Sequence, residues 1–185
     1  MHLELIIGPM YSGKSTELVR RCSRYDAIGK HVQIVNHSLD SRCSEHSVRT
    51  HRGAEYPAVK LQQLKDSFEF LPDVIGIDEA QFFPDLYEFI LSIDDSDTIV
   101  IVSGLDGDFR RLPFGDILRC IPLCDSVTKL NAMCALCSNG TPGIFTKRLT
   151  HDQALVCVGA QDSYSAVCRK HYATIPSSDC HTNDT

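Results

Sequence analysis

The sequence predicts an α/β domain on a mostly parallel sheet, followed by a small β-rich lobe. Segments rich in β-branched residues recur along the first 130 residues, and helix-compatible stretches lie between them. Several segments are apolar at consecutive positions, as is typical of strands buried on both faces of a parallel sheet. Such alternation of strand and helix favours the α/β class. The predicted strands are Leu3–Ile7, His31–Asn36, Val74–Asp78, Thr98–Ser103 and Ser126–Leu130, and the predicted helices are Lys14–Ile28, Leu61–Phe70, Leu86–Ile93 and Phe114–Arg119.

The pattern changes after the last of these strands. Residues 131–172 contain short β-like pieces at Ile144–Leu149 and Ala154–Val158, two Cys/His clusters and no good helix. Residues 173–185 are mostly Ser, Thr, Asp and Asn, with nothing to bury, which indicates a mobile end. We therefore expect an α/β domain over residues 1–130, a second lobe over 131–172 and a C-terminal tail over 173–185.

Composition and charge exclude several classes of protein. The chain has 185 residues, of which 43% are hydrophobic and 23% charged, as in an ordinary globular protein with one main domain. Its apolar runs are far shorter than the ~20 residues of a membrane span. The first residues lead directly into a predicted strand, without the basic region and cleavage site of a signal peptide. The net charge of −6 gives no general attraction to nucleic acid or to anionic lipid, so we expect neither partner.

The cysteine content indicates a reducing compartment. There are nine cysteines, an odd number, and no signal peptide is predicted. In such a chain, clustered cysteines indicate metal binding or catalysis rather than disulfides. We therefore expect a cytoplasmic protein, in which cysteines outside tight pairs are small hydrophobes or surface thiols.

The strongest motif runs from Gly8 to Ser15 and matches G-x-x-x-x-G-K-[ST]. A predicted strand precedes it and a predicted helix follows it, as a phosphate-binding loop requires. Its glycines let successive N–H groups point into one concavity that binds anions, and the helix start adds the positive end of its dipole. Lys14 would bridge the β- and γ-phosphates, and Ser15 would bind Mg²⁺. The predicted nucleotide-binding residues here are Gly8, Pro9, Met10, Tyr11, Ser12, Gly13, Lys14 and Ser15.

Two acidic residues follow a second apolar strand. Asp78 ends the predicted strand Val74–Asp78, which we expect to lie beside the phosphate-loop strand. P-loop proteins place the carboxylate that helps to hold Mg²⁺ at such a strand end. Glu79 follows it and could be a general base, because side chains there point into the crevice at the carboxyl ends of the strands. The alternative is a pair of solvated acids that cap the next turn.

Four residues have the spacing of a metal site. Cys134 and Cys137 form C-x₂-C, and Cys168 and His171 form C-x₂-H. With two residues between the ligands of each pair, a tight turn can direct both ligands at one tetrahedral ion. Three cysteines and one histidine suit Zn²⁺. Four protein ligands would make the site structural. Two unrelated buried thiols or a redox C-x-x-C are the alternatives, and the remaining histidines are expected at the surface.

With these motifs in place, the chain resembles the zinc-containing P-loop thymidine kinases, known as type II, over residues 3–172. The resemblance implies a RecA-like core and a zinc-held lobe whose lasso loop closes over the nucleoside. It also implies transfer of the γ-phosphate of ATP to thymidine, and to deoxyuridine, in nucleotide salvage for DNA synthesis. A homotetramer and feedback inhibition by thymidine triphosphate are further implications. The matching stretches are Gly8–Leu18, Ile75–Phe83, Leu105–Gly115, Thr146–Leu149 and Tyr164.

The resemblance also implies roles for single residues. Glu79 would be the base that takes the proton of the 5′-hydroxyl. The residues implied on the ATP side are Asp40, Ser41, Arg42, Asp78 and Gln81. The residues implied around thymidine are Met10, Phe82, Phe109 and Tyr164, together with the backbone of Leu155, Val156, Cys157, Val158 and Gly159. Ala80, where the family often has glycine, and His171, in place of a fourth cysteine, depart from the pattern without removing a chemical group.

Two other classes of function fit the motifs less well. A P-loop nucleic-acid motor or zinc-ribbon binding protein is disfavoured by the net charge of −6, by the lack of a basic–aromatic stripe and by the short chain. A nucleotide-binding regulator without catalysis is disfavoured because Lys14, Ser15, Asp78 and Glu79 are all present.

Overall fold

The computed structural model describes residues 1–40, 47–49, 55–65, 67–149 and 163–174. Twelve strands and three α-helices lie in these ranges. The strands are β1 (His2–Gly8), β2 (Val32–His37), β3 (Ser47–Arg49), β4 (Glu55–Pro57), β5 (Val59–Leu61), β6 (Val74–Asp78), β7 (Ile99–Leu105), β8 (Ser126–Lys129), β9 (Ala132–Met133), β10 (Pro142–Gly143), β11 (Phe145–Arg148) and β12 (Tyr164–Val167). The α-helices are α1 (Lys14–Asp26), α2 (Leu86–Ser92) and α3 (Arg169–Ala173), and 3₁₀ turns span Ala80–Phe82 and Ile117–Leu123.

The central sheet has six strands in the order β5-β2-β6-β7-β1-β8, and all of its strand pairs are parallel. Five of its strands are the five predicted ones, with ends that differ by at most two residues. The predicted α/β class is therefore confirmed. The expectation that the strand ending at Asp78 lies beside the phosphate-loop strand is wrong, because β7 lies between β6 and β1.

Apolar layers cover both faces of this sheet, which explains the consecutive apolar positions in its strands. On one face, α1 packs through Leu18 and Cys22 against Ile6 and Ile101. The helix lies so close that a Cβ at Gly76 would be 2.8 Å from the Cys22 sulfur. On the other face, α2 and the Ile117–Leu123 turn cover the alternate residues of the same strands.

The predicted helix over Leu61–Phe70 is wrong. Leu61 ends β5 and pairs with His37 in the sheet. The N–H groups of Leu64 and Lys65 each donate to the Asp85 carboxylate at 2.8 Å. These N–H groups are therefore not bonded to the carbonyls one turn earlier in the chain, as a helix would require.

The predicted helix over Phe114–Arg119 is a 3₁₀ turn that begins later, at Ile117. Gly115 stands in the left-handed region with φ of 62°, so helical geometry cannot begin before it. A Cβ there would also be 2.3 Å from the Gln81 carbonyl oxygen, so only glycine fits.

Short elements follow the central sheet. Strands β9 and β10 form one antiparallel pair, and β11 and β12 form another. Helix α3 follows β12 directly, contrary to the expectation of no helix in this part. We call these elements, residues 132–149 and 163–174, the cluster lobe. Ala173 ends α3, and residues 175–185 and the predicted strand Ala154–Val158 lie outside the described ranges. Among the described residues, no helix has the length and apolar character to cross a membrane.

A network of charges fastens α1 to the sheet. The Arg21 guanidinium donates to Glu17 at 2.8 Å, to Glu4 on β1 at 2.6 Å and to the Thr128 hydroxyl on β8 at 2.9 Å. Glu17 also accepts two hydrogen bonds from Arg20 at 2.7 Å. The hydrogen bonds from Arg20, opposed by partial burial and helped by those from Arg21, lower the pKa of Glu17 to about 2.

We expect Glu17→Gln to lower the free energy of unfolding at pH 7 by about 1 kcal/mol, since partial exposure screens the ion pairs. The pKa of Glu17 is about 2 in the folded state and about 4.3 in the unfolded chain. The stabilisation is therefore fully present above about pH 4.3 and is lost as the pH falls towards 2. Urea unfolding at several pH values measures it. Lys30→Gln, which breaks an exposed pair with Asp73, is the control, and an equal loss in both variants at pH 7 would contradict the prediction.

Candidate functional site

The candidate site lies at the carboxyl edge of the central sheet. Because the central strands are parallel, the residues that follow β1, β2, β6 and β7 meet at the same edge. The segment Gly8–Gly13 follows β1, Asp40 lies shortly after β2, and Asp78 ends β6. The topology therefore brings the phosphate loop and the acidic residues to one end of the molecule.

The segment Gly8–Gly13 has the backbone of a phosphate-binding loop. Tyr11 and Gly13 both have left-handed conformations, with φ of 64° and 86°, which curl the chain. A Cβ at Gly8 would be 2.3 Å from the Leu130 carbonyl oxygen, so the loop passes β8 at a distance that only glycine permits. No side chain caps the start of α1 after Gly13. The first turn of α1 can therefore present its N–H groups to a phosphate.

Lys14 lies within the curl of the loop. Its side chain is buried, and its ammonium donates to the Pro9 carbonyl oxygen at 2.7 Å. The Ser12 hydroxyl donates to the same oxygen at 2.8 Å. The Pro9 carbonyl oxygen therefore holds the charge against the loop, where it adds to the attraction of the loop for an anion.

Asp78 is buried at the end of β6, with 2% of its surface exposed. One of its oxygens accepts a hydrogen bond from the Ser103 hydroxyl on β7 at 2.5 Å. Asn36 is its neighbour in register on β2, and the Asn36 amide donates to the Asp40 carboxylate at 2.9 Å. Asp78 is therefore a fixed, buried acid and not a solvated turn cap.

Glu79 is held by a chain of hydrogen bonds through Gln81. The buried Gln81 amide donates to the Glu79 carboxylate at 2.6 Å and accepts from the Leu105 N–H at 2.9 Å. Glu79 itself has a left-handed backbone, with φ of 52°, which is uncommon outside glycine and asparagine. The end of β7 thus orients the Glu79 carboxylate through one glutamine.

An aromatic cluster continues from this turn. The Phe82 ring lies 5.6 Å from the Phe114 ring, edge to face, and 5.8 Å from the His37 ring. The expectation of surface positions for histidines outside the metal site is wrong at His37, which is buried at the end of β2. Burial lowers the pKa of this imidazole, and its two ring nitrogens bond to the Gln62 carbonyl oxygen and to the Leu39 N–H.

A second aromatic group surrounds a buried cation. The Arg148 guanidinium lies 3.9 Å from the centre of the Phe109 ring and 4.9 Å from that of Tyr164. It also donates to the Tyr164 hydroxyl. Arg148 is 7% exposed, so these contacts are shielded from water. Cation–π contacts are strongest when water is excluded in this way.

The phosphate loop and the cluster lobe are in direct contact. The Met10 N–H donates to the Thr146 hydroxyl at 3.0 Å, and the Tyr11 hydroxyl donates to the Tyr164 carbonyl oxygen at 3.3 Å. The structure therefore brings Met10 and Tyr11 to Tyr164. Ser41, Arg42 and residues 155–159, which the resemblance places in the site, lie outside the described residues.

Sequence reasoning assigned no role to three residues that the structure places here. Thr146 and Arg148 are polar residues at the two buried positions of β11, and Tyr172 contacts the backbone of Phe109. Buried polar residues at alternate positions of a strand are unusual. Once β11 is known to be a strand, its sequence Phe-Thr-Lys-Arg shows that Thr146 and Arg148 lie on the same face. No local pattern indicates the Tyr172 contact.

The four predicted metal ligands meet at one point. All four ligand atoms lie within 4.8 Å of one another. The Cys137 and Cys168 sulfurs are 3.8 Å apart, and the His171 Nδ1 lies 3.4–3.5 Å from the three sulfurs. A tetrahedron with Zn–S of about 2.3 Å and Zn–N of about 2.05 Å has S···S edges of ~3.8 Å and S···N edges of ~3.6 Å. The donor set and its spacing therefore fit a tetrahedral zinc ion.

The surroundings of Cys134 favour its thiolate. Burial acts against ionisation of Cys134, but hydrogen bonds from the Cys168 backbone, from His171 and from other N–H groups lower its pKa to about 6. Burial, with the hydrogen bonds to the neighbouring thiols, raises the pKa of Cys137. Outside the cluster, burial raises the pKa of Cys22 and Cys120 to about 12, so these two are inert core residues, as predicted.

Comparisons with known proteins agree with one another. The family model described as thymidine kinase matches residues 1–172. Thymidine kinase a of Arabidopsis thaliana is 46% identical over 181 residues, which cover 93% of this chain and 75% of that protein. The thymidine kinase of Monkeypox virus is 43% identical over 173 residues, covering 92% of this chain and 96% of that protein. The thymidine kinase of Oryza sativa subsp. japonica is 43% identical over 179 residues, covering 92% of this chain and 65% of that protein.

We expect Cys134→Ser to lower both the bound metal and the melting temperature, because metal-binding free energy is coupled to folding of the lobe that supplies the ligands. Metal analysis and a thermal scan measure the two effects. Cys124→Ser, outside the cluster, is the control and should leave both unchanged. A Cys134→Ser protein that loses its metal but melts at the wild-type temperature would show that the cluster is not structural.

Proposed function

Because this chain belongs to the thymidine kinase family, we propose that it transfers the γ-phosphate of ATP to the 5′-hydroxyl of thymidine, with thymidine monophosphate and ADP as products. Deoxyuridine is proposed as a second acceptor. The observation that carries the proposal is the contact between the phosphate loop and the aromatic residues, through Tyr11 and Tyr164. A nucleotide bound at the phosphate loop would therefore lie beside a flat ring bound next to Tyr164.

The phosphate loop would hold the triphosphate. The N–H groups at the start of α1 and the buried Lys14 would face the β- and γ-phosphates, where their charge would stabilise the negative charge of the transferring group. The hydroxyl of Ser15 and the carboxylate of Asp78 are suited to Mg²⁺, which supplies further charge neutralisation when bound. Asp40, Ser41, Arg42 and Gln81 complete the proposed ATP side.

Glu79 would act as the general base. Its carboxylate accepts the proton of the thymidine 5′-hydroxyl while that oxygen forms a bond to the γ-phosphorus and the bond to the ADP oxygen breaks. Gln81 donates to one Glu79 oxygen at 2.6 Å, which orients the carboxylate for this role. Phosphoryl transfer then depends mainly on position and charge, which these residues supply.

The thymine ring would lie among Met10, Phe82, Phe109 and Tyr164. Aromatic walls suit a flat base, and the backbone of residues 155–159 would pair with its polar edge, since that segment has no long polar side chain. A buried base without such partners would lose about 1–3 kcal/mol for each unpaired group.

We also propose the arrangement of the whole chain. The cluster would hold a structural Zn²⁺, the domain boundaries would lie near residues 130 and 172, and a lasso loop would close over the nucleoside. A cytoplasmic location, a homotetramer and feedback inhibition by thymidine triphosphate follow from the family. The direct test is to mix the purified protein with labelled thymidine and ATP and to look for labelled thymidine monophosphate.

We expect Glu79→Gln to reduce kcat by ~10²–10⁴, the usual contribution of a positioned base, while both substrates still bind. Lys14→Ala should instead weaken ATP binding and slow transfer, because it removes charge from the phosphate site. Steady-state kinetics with binding titrations separate the two. Glu69→Gln, an exposed residue, is the matched control, and a Glu79→Gln enzyme with near-normal kcat would overturn the assignment of the base.

We expect Phe109→Ala to raise the Kd for thymidine by about 10- to 100-fold, since it removes a half-buried ring from the pocket wall. The Kd for ATP should change by less than about twofold, because the phosphate loop does not depend on that ring. Phe70→Ala, at a side chain that is 83% exposed, is the control. An equal loss of affinity for both ligands would argue against a pocket at Phe109.

A further inference from the structure

Tyr172 joins the metal cluster to the proposed pocket wall. It is the residue directly after the ligand His171. Its hydroxyl donates to the main-chain carbonyl of Phe109 at 2.8 Å, across 63 residues of sequence. The Tyr172 ring packs against the Phe145 ring, with centres 5.3 Å apart, and the Arg111 guanidinium lies 4.4 Å from its centre.

The position of Tyr172 depends on the cluster. Helix α3 has five residues, far fewer than an isolated helix needs in order to be stable in water. Its start follows the ligand Cys168, and the ligand His171 lies within it. Lys147 on β11 donates to the His171 carbonyl oxygen at 2.8 Å and to that of Thr174. The ligands and one lysine therefore fix this short helix, and with it the Tyr172 hydroxyl.

The position of Phe109 depends in turn on contacts outside its own loop. The Asp108 carboxylate accepts from the N–H groups of Arg110 and Leu112 and so closes the turn locally. The Phe109 ring faces the Arg148 guanidinium at 3.9 Å. The hydrogen bond from Tyr172 holds the backbone of Phe109 itself, so it limits where the ring can lie.

We propose that Tyr172 is a positioning residue, through which the geometry of the metal cluster sets the placement of Phe109 and hence the affinity for the nucleoside. This proposal deepens the proposed function and rests on it. Two hydrogen bonds join the phosphate loop to the cluster lobe at Thr146 and Tyr164, on strands β11 and β12. The hydroxyl of Tyr172 instead bonds to Phe109 on the proposed pocket wall, so we expect its effect to be selective for the nucleoside over the nucleotide.

The test compares Tyr172→Phe with Thr174→Val in the metal-loaded protein. Tyr172→Phe removes only the hydroxyl and keeps the ring that packs on Phe145. Thr174→Val removes a hydroxyl that donates to Lys170 within the same helix end and does not reach Phe109. Separate titrations with thymidine and ATP, metal analysis and steady-state kinetics are measured for each variant.

We expect Tyr172→Phe to raise the Kd and KM for thymidine about 3- to 10-fold, as for one lost hydrogen bond. Metal content, the Kd for ATP and kcat at saturating thymidine should change by less than twofold, and Thr174→Val should match the wild type throughout. A merely structural role would lower stability and affect both ligands alike. An unchanged thymidine Kd, or an equal loss for both ligands, would overturn the proposal.

A second arm uses removal of the metal by a chelator. If the cluster affects thymidine binding through Tyr172, metal removal should weaken that binding by a smaller factor in Tyr172→Phe than in the wild type. The variant has already lost the hydrogen bond to Phe109 through which metal removal would act, so the two effects should not add. Equal factors in both proteins would contradict the proposal. Failure of the proposed function can be distinguished from failure of this proposal. If the proposed function is wrong, the wild-type protein itself forms no thymidine monophosphate, before any variant is compared.

Discussion

The hydrogen bond from the Met10 N–H to the Thr146 hydroxyl joins two parts of the chain that are 136 residues apart. One part is a loop whose curl depends on the left-handed Tyr11 and Gly13. The other is a short strand that could not hold its place alone. Because the loop and the strand share this contact, a phosphate group on the loop and a ring beside Tyr164 would lie next to each other. Transfer between two bound molecules requires this proximity, and holding two reactants in the right geometry can supply about 7–11 kcal/mol of the barrier.

Burial of charge is the second constraint on this site. Lys14, Asp78 and Arg148 are each less than 10% exposed, and a buried charge is costly unless it is paired. Each has a partner whose position the fold determines: the Pro9 carbonyl, the Ser103 hydroxyl and the faces of Phe109 and Tyr164. These partners are polar or aromatic groups, and they fix the Lys14 ammonium and the Asp78 carboxylate at the carboxyl edge of the sheet.

The sequence predicts the parts of the fold and site that local patterns determine. The buried strands, α1 and α2 follow from runs of apolar residues, and the phosphate loop and C-x₂-C pair are contiguous motifs. The helix predicted over Leu61–Phe70 is wrong because Asp85, about 20 residues away, takes the N–H groups of Leu64 and Lys65. A local pattern does not determine strand order either, so the sequence does not predict that β7 lies between β1 and β6. Arg148 and Tyr172 were missed for the same reason, since each meets Phe109 across 39 or more residues.

The cluster lobe shows why a metal site belongs in this fold. Its strands are two to four residues long and its helix has five, so it cannot bury a core comparable to that of the central sheet. A metal ion held by Cys134, Cys137, Cys168 and His171 would replace that core with one point of attachment for the β9–β10 side and for α3. Tyr172 is the residue after His171, and its hydroxyl reaches the Phe109 backbone. An ion that stabilised the lobe would therefore also help to determine the shape of the proposed pocket wall.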